Sequence, residues 1–282
     1  MTESVGDPAN SAPEQTVLDM TITTAGFDIP GPQQRPAGTV TFRVRTPDAE
    51  GHKLAVIAIN NGVSTPDFLA ALARSFSWDP ETKSAAARIV RRDGRFLGGV
   101  YCSAEHAAPE LTLDLEPGTY YFLDYDRVHE PDFADSVRVL EVVAGGGTPS
   151  SSASPVDSIV TLIADDQQLV HFDVEEPLPS TGVFLFRNAT DHLQEAVFGR
   201  MASGATEEDI SKAIHSYRGG PPLDKEVFVG GGAGMLPLSP GEQAILRLDL
   251  SPGRYGLCSY TTNPHTGICN ALQHARRCVT LT

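Results

Sequence analysis

Apolar and polar positions alternate in short runs along most of this chain. The run TVTFRVR at 39–45 keeps period two, as does LTLDL at 111–115, and each reads as a strand with one buried face. KLAVIAIN at 53–60 is apolar almost throughout, the mark of a strand covered on both faces. The same pattern predicts strands at 18–27, around Val100, and at 120–125 and 137–143. Two stretches change period. After Thr65, Pro66 and Asp67, the residues Phe68, Leu69, Leu72 and Phe76 fall on one helical face, and a second helix is expected over 80–92. The end of that helix, ARIVRRDGR, is a basic patch that reads as a solvated helix end.

The second half repeats the order. Strands are expected at 159–163, 168–174, 182–187 and 193–201. A capping box at Thr206-Glu-Glu-Asp opens a helix that runs to about Tyr217. A Gly-rich segment at 230–234 reads as a mobile connection, and the last strand is expected at 277–281. Two stretches tie the halves together, LTLDLEPGTYYFLDY at 111–125 and LRLDLSPGRYGLCSY at 246–260. They share the leucines, an Asp, a Pro-Gly turn, the tyrosine after it and a closing tyrosine. This is an internal repeat of about 135–140 residues, far longer than the roughly 20–50 of a solenoid, so it marks two whole domains. The organisation expected is a polar, disordered tail at 1–16, a first domain at 17–144, a Gly/Ser/Pro linker at 145–156 and a second domain at 157–282.

Composition narrows the class. The chain has 282 residues and 40% hydrophobic content, enough for two cores, and its 26 Gly and 21 Pro fit short strands and many turns. The net charge of -15 repels phosphate backbones, so nucleic acid is excluded as a partner. No apolar run reaches the roughly 18–20 residues of a membrane span. The first residues carry neither a basic nor an apolar leader region. The chain is therefore expected in the cytoplasm if Met1 is native, and otherwise as a secreted protein with its leader removed. In an oxidising compartment Cys258 would pair with Cys269 or Cys278; in the cytosol all four cysteines would stay reduced.

The second half, GVFLFRNATDHLQEAVFGRM followed by GGGAGMLPLSPGEQAILRLDLSPGRYGLCSY and a loop bearing His and Cys, resembles the cupredoxin-like (plastocyanin/azurin-type) domains of bacteria. The first half carries the same frame in GTVTFRVRTPDAEGHKLAVIAIN and LEPGTYYFLDY, so the resemblance spans nearly the whole chain as two copies. It implies an all-β fold of two tandem Greek-key β-sandwich domains, each with a short helical insertion after its second matched strand. It also implies that the loops gather at the end of each sandwich where the family holds copper.

A blue-copper centre needs two His and a Cys thiolate, usually with a weak axial Met. By the resemblance both copies keep the first His, as His52 and His192. The family's Cys position, four residues after the Pro-Gly tyrosine, holds Asp124 in the first copy and Ser259 in the second. Cys258 lies one residue early, and a one-residue slip on a strand turns a side chain to the other face. No Met stands in either loop. Blue copper is therefore not favoured, and zinc or copper on His192, His265 and Cys269 is the metal alternative.

Other motifs are absent: there is no nucleophile elbow, no H-E-x-x-H and no phosphate loop. The run Tyr101 to His106 brings a thiol, an acid and an imidazole together, but neighbours on a strand face opposite ways. Three functional expectations follow. The first is a metal-free protein that binds a small molecule or a protein partner through its loop ends or an interdomain groove, with His52, Asp124, His192, Tyr260 and His265 as binding candidates. The second is a cofactor-independent enzyme of cyclase or isomerase type acting on a bulky apolar metabolite, with Asp124 and His129, or His192 and His265, as its poised groups. The third is the metalloprotein.

Overall fold

The computed structural model describes residues 16–145, 155–217 and 220–282. The polar tail and most of the expected linker lie outside the described residues.

The first half contributes β1 (Thr16–Thr23), β2 (Gly26–Phe27), β3 (Gln34–Pro36), β4 (Gly38–Arg45) and β5 (His52–Ile59). Two helices follow, α1 (Thr65–Arg74) and α2 (Pro80–Asp93). Then come β6 (Gly94–Cys102), β7 (Glu110–Leu115), β8 (Gly118–Asp124), the single turn α3 (Phe133–Ser136) and β9 (Arg138–Val143). The second half has β10 (Ser158–Ala164), β11 (Val170–Val174), β12 (Thr181–Asn188), β13 (Gln194–Arg200) and α4 (Glu207–Tyr217). It closes with β14 (Ala233–Leu238), β15 (Gln243–Asp249), β16 (Gly253–Cys258), α5 (Asn270–Gln273) and β17 (Arg276–Leu281).

The helices start where their caps dictate. Asp79 accepts the Thr82 N–H at 2.8 Å ahead of α2. Ahead of α4, Thr206 and Asp209 bond each other's backbone N–H groups, which is the reciprocal geometry of a capping box. The alternating run at 18–27 does not continue as one strand. A turn at Thr24 and Ala25 folds it back, and Gly26, at φ 109°, supplies the left-handed residue this needs.

Each half is a two-sheet Greek-key sandwich of cupredoxin-like type, with a parallel pairing of β1 with β4 in the first half and of β10 with β12 in the second. The halves are not beads on a string. One sheet of eight strands runs β11-β10-β12-β15-β7-β4-β1-β2, and one of nine runs β17-β16-β13-β14-β6-β5-β8-β9-β3. Both cross from one half to the other without a break, through β15 on β7 and β14 on β6.

Each junction is centred on one pair of repeat mates. Leu111 faces Leu246, and Val100 faces Met235, as in the isologous contact of a two-fold dimer. One apolar core fills the space between the sheets and includes Phe42, Val56, Phe122, Phe184, Phe198 and Tyr255 from both halves. Each of these side chains stabilises the fold by about 1.5–3 kcal/mol through burial.

The antiparallel junction points the loop ends of the two sandwiches in opposite directions. Each insertion therefore reaches the loop end of the other half. From the first half, α2 meets the hairpin tip of the second: Ser84 donates to the Pro264 carbonyl at 2.7 Å, and a Cβ on Gly267 would lie 2.7 Å from the Pro80 oxygen. From the second, the segment after α4 meets the first. Gly231 N–H donates to Glu105 at 2.9 Å, and the Gly231 carbonyl bonds His106 at 3.2 Å. The Gly-rich segment, expected to be a mobile connection, is thus packed against Tyr101, Ser103 and Glu105 and leads directly into the joining strand β14. The basic patch is spent in part on the same contact, with Arg95 on Glu242 at 2.7 Å. No disulfide joins any of the four cysteines.

Gly234 and its mate Gly99 mark where backbones come closest. A Cβ on Gly234 would overlap the Ala196 carbonyl, and one on Gly99 the Leu54 carbonyl. Gly234→Ala is expected to cost roughly 3 kcal/mol or more, because it adds a backbone clash to the φ of 143°. Urea unfolding measures this, and an unchanged midpoint would contradict the junction described.

Candidate functional site

Register places the residues that the sequence resemblance matches to the family's copper ligands. On β5, the backbone N–H of Lys53 donates to Asp124 at 3.3 Å, and the side chain of His52 bonds Asp124 at 2.7 Å. On β13, the N–H of Glu195 donates to Ser259 at 3.2 Å, and the side chain of Gln194 bonds Ser259 at 2.8 Å. The loops before these strands match as well. Thr46 caps Asp48 N–H at 3.0 Å, and Asn188 caps Thr190 N–H at 3.0 Å. The counterpart of His52 is therefore Gln194. His192, expected from the sequence to be that counterpart, stands two residues earlier, in the loop.

His52 is held from both sides. Nδ1 meets Asp124 at 2.7 Å and Nε2 meets Asp48 at 2.9 Å, and the ring is buried. The Asp124 carboxylate, helped by Asp48 and opposed by burial, pushes the imidazole pKa up to about 9. At neutral pH the ring is an imidazolium that donates from both nitrogens. The hydrogen bond from His52 in turn holds Asp48 below the usual carboxylate range. Among the described residues, His52, Asp124 and Asp126 form a group whose ligand atoms all lie within 4.8 Å of one another. Both ring nitrogens of His52 and the Asp126 carboxylate are engaged in hydrogen bonds, the latter with Lys53 at 2.6 Å. In the second copy the same positions are an amide and a hydroxyl. Neither set offers the two imidazoles and the thiolate of a blue-copper centre.

The remaining candidates fall into separate places. His192 and His265 do come together, with ring centroids 6.3 Å apart. Asp191 bridges them, at 2.7 Å from His192 Nδ1 and 3.3 Å from His265 Nε2, and Arg91 of α2 stands 4.0 Å from the same carboxylate. The other nitrogen of His192 meets Asn270 at 3.1 Å. Cys269 does not join this pair. Its thiol points at the Ser259 carbonyl, 3.9 Å away, and packs in the apolar cluster of Cys258 and Ile210. The Cys258 thiol there is pushed up to about 12 by burial, far from a thiolate. His129 is exposed and sits edge-on to Phe76 at 5.7 Å, while the Asp124 carboxylate is bonded to His52, Lys53 and Asp126. Tyr260 contributes its backbone N–H, which donates to Glu195 at 2.9 Å.

Two further groups were not singled out from the sequence. Glu195 and Lys53 are repeat mates that stand on opposite sides of the junction, on the outer face of the nine-stranded sheet. Burial raises the Glu195 carboxyl to about 7, against the pull of the Tyr260 N–H and the Lys53 charge. One of its oxygens holds the Tyr260 N–H; the other takes no hydrogen bond from the described residues. A charged residue inside the apolar run of β13 was the available signal. Asp48, four residues before His52, was legible only as a spacing.

Two depressions on the surface of the described residues border candidate residues or the junction. One, of about 400 Å³, lies between the halves and is bordered by Glu105, His106, Thr181 and Asp249. The other, of about 280 Å³, lies at the loop end of the second sandwich beside Asp191 and His265.

No family model matches this chain, and no curated protein matches it. Solved structures do. Auracyanin A, a blue copper protein from Chloroflexus aurantiacus, is 16% identical over 45% of this chain and 98% of its own, with a TM-score of 0.31. A blue copper oxidase from Nitrosomonas europaea is 16% identical over 95% of this chain and 86% of its own, with a TM-score of 0.23. A multicopper oxidase is 11% identical over 95% and 88%, with a TM-score of 0.26. The fold, two cupredoxin-like sandwiches in tandem, rests on the strand order and registers above.

His52 carries a pH signature. Its folded pKa of about 9 exceeds the ordinary 6.5, so its stabilisation is complete below pH 6.5 and is lost as pH rises through 9. The loss is expected to reach up to about 3 kcal/mol. Asp124→Asn should flatten this slope, as read from urea midpoints across that range. An unchanged slope would mean the imidazolium is not held as described.

Proposed function

We propose that this chain is a metal-free cupredoxin-like binding protein that takes a small molecule at the loop end of its second sandwich. One observation carries the reading. In both copies the family's metal positions are occupied by side chains bonded to each other, His52 with Asp124 and Gln194 with Ser259. Beside the second of these, the loop leaves an open depression instead of a packed surface. A protein partner on the same end is the alternative source of contacts.

Titration with copper(II) and zinc is expected to produce no intense visible thiolate-to-copper band and no tight stoichiometric binding. Tight binding lost in His52→Ala would overturn the metal-free reading in favour of the first copy. Binding lost in His265→Ala would do so for the second.

Glu195 favours a second reading, as a cofactor-independent enzyme. A buried carboxyl near pKa 7 with one unbonded oxygen, close to Lys53, the buried Tyr125 and the half-buried Tyr260, suits proton transfer at neutral pH. The sign of its pH effect is fixed. With a folded pKa raised from 4.5 to about 7, ionisation costs stability as pH rises through that interval, by up to about 3 kcal/mol. Glu195→Gln is therefore expected to raise stability at pH 8 relative to pH 4. Equal stability of the variant and the parent at both pH values would remove the basis for this reading.

A further inference from the structure

The depression beside Asp191 has chemistry that the binding reading leaves unnamed. We propose that it is a site for a neutral polyhydroxylated molecule, a monosaccharide or cyclitol. This rests on the reading of that loop end as a ligand-binding end.

The lining is dominated by carboxamides with unspent nitrogens. Asn263 is only 4% exposed, and its oxygen accepts the His265 N–H at 2.9 Å. Its amide nitrogen finds no partner among the described residues. Gln273 accepts the Thr266 hydroxyl at 3.1 Å, and its nitrogen is likewise unpaired. The Gln168 side chain makes no hydrogen bond to the described residues at all. Asn263 lines the depression, so its amide nitrogen can donate to an occupant that supplies an acceptor.

Charge argues for a neutral ligand. The ionic groups at this rim are satisfied by each other: Asp191 meets His192, His265 and, at longer range, Arg91. No bare charge is left to call for an ion. A hydroxyl both donates and accepts, which is what carboxamides match. Leu169 and the face of the His265 ring offer apolar area for the C–H side of a ring. At about 280 Å³ the site lies just under the roughly 300–1,000 Å³ of small-molecule pockets, which suits one ring and not a chain.

Gln168 adds an independent mark. It is the only non-glycine among the described residues with positive φ, at 62°. Asp165 builds the turn by accepting the N–H groups of Gln167 at 2.8 Å and Leu169 at 2.9 Å. Glycine would adopt this conformation without strain, yet the position holds a carboxamide aimed at the rim.

The test is a backbone and side-chain amide NMR titration of the full chain with D-glucose, D-galactose, D-mannose and myo-inositol at millimolar concentrations. At least one is expected to shift the side-chain amides of Gln168, Asn263 and Gln273 saturably. Gln168→Gly is expected to weaken that binding by about three- to tenfold while leaving the thermal midpoint no lower, which separates a lost contact from a damaged fold. Gln273→Ala is expected to weaken it similarly. Benzoate and benzylamine are titrated in parallel. If they bind this loop end and no polyol does, the polyol assignment is overturned while the binding reading stands. If nothing binds there, both fall. Polyol binding unaffected by Gln168→Gly would also overturn the assignment.

Discussion

The structure depends on one contact, the pairing of each half's free sheet edge with the same edge of the other half. A sandwich standing alone would expose two rows of unpaired backbone groups at this edge, a liability that proteins close by pairing or covering. Here β6 meets β14 and β7 meets β15, each pairing centred on one pair of repeat mates, Val100 with Met235 and Leu111 with Leu246. The result is two continuous sheets around one core. The geometry has a consequence for function. A two-fold junction sends the loop ends of the two sandwiches in opposite directions, so no single cleft can hold both. It also delivers each helical insertion to the other half's loop end, where Ser84 meets Pro264 and Gly231 meets Glu105.

At the positions that the resemblance matches to copper ligands, side chains are hydrogen-bonded to each other in both copies. The first copy buries an imidazolium between two carboxylates; the second buries an amide against a hydroxyl. A buried cation is tolerable only when it is paired and hydrogen-bonded, and Asp48 and Asp124 meet both requirements. These devices do not need a thiolate. The sulfurs of Cys258 and Cys269 lie instead on the outer face of the sheet, packed with Ile210 under α4.

Much of this was legible in the amino-acid sequence. Strands such as β4 and β7 alternate because one face meets the core, and the Pro-Gly-Tyr repeat places matching hairpins in both halves. The fusion was not legible, since Leu111 and Leu246 alternate like any half-buried residues and nothing local names their partner. The Gly-rich segment read as mobile because glycines lack side chains to pack, whereas Tyr101 and Ser103 need that missing volume. At the site, Asp124 was found through the repeat. His192 was misassigned because two histidines near a strand start cannot be ranked without the strand's register. Glu195 went unnoticed although a lone acid in an apolar strand marks a buried charge.

The central claim is that His52 is a buried imidazolium hydrogen-bonded on both sides, by Asp48 and Asp124. Nitrogen-15 NMR of the His52 ring tests it most directly. The account predicts two protonated ring nitrogens at neutral pH, with the proton lost only near pH 9. A ring that carries one proton at neutral pH, with its other nitrogen free or bound to a metal, would contradict it.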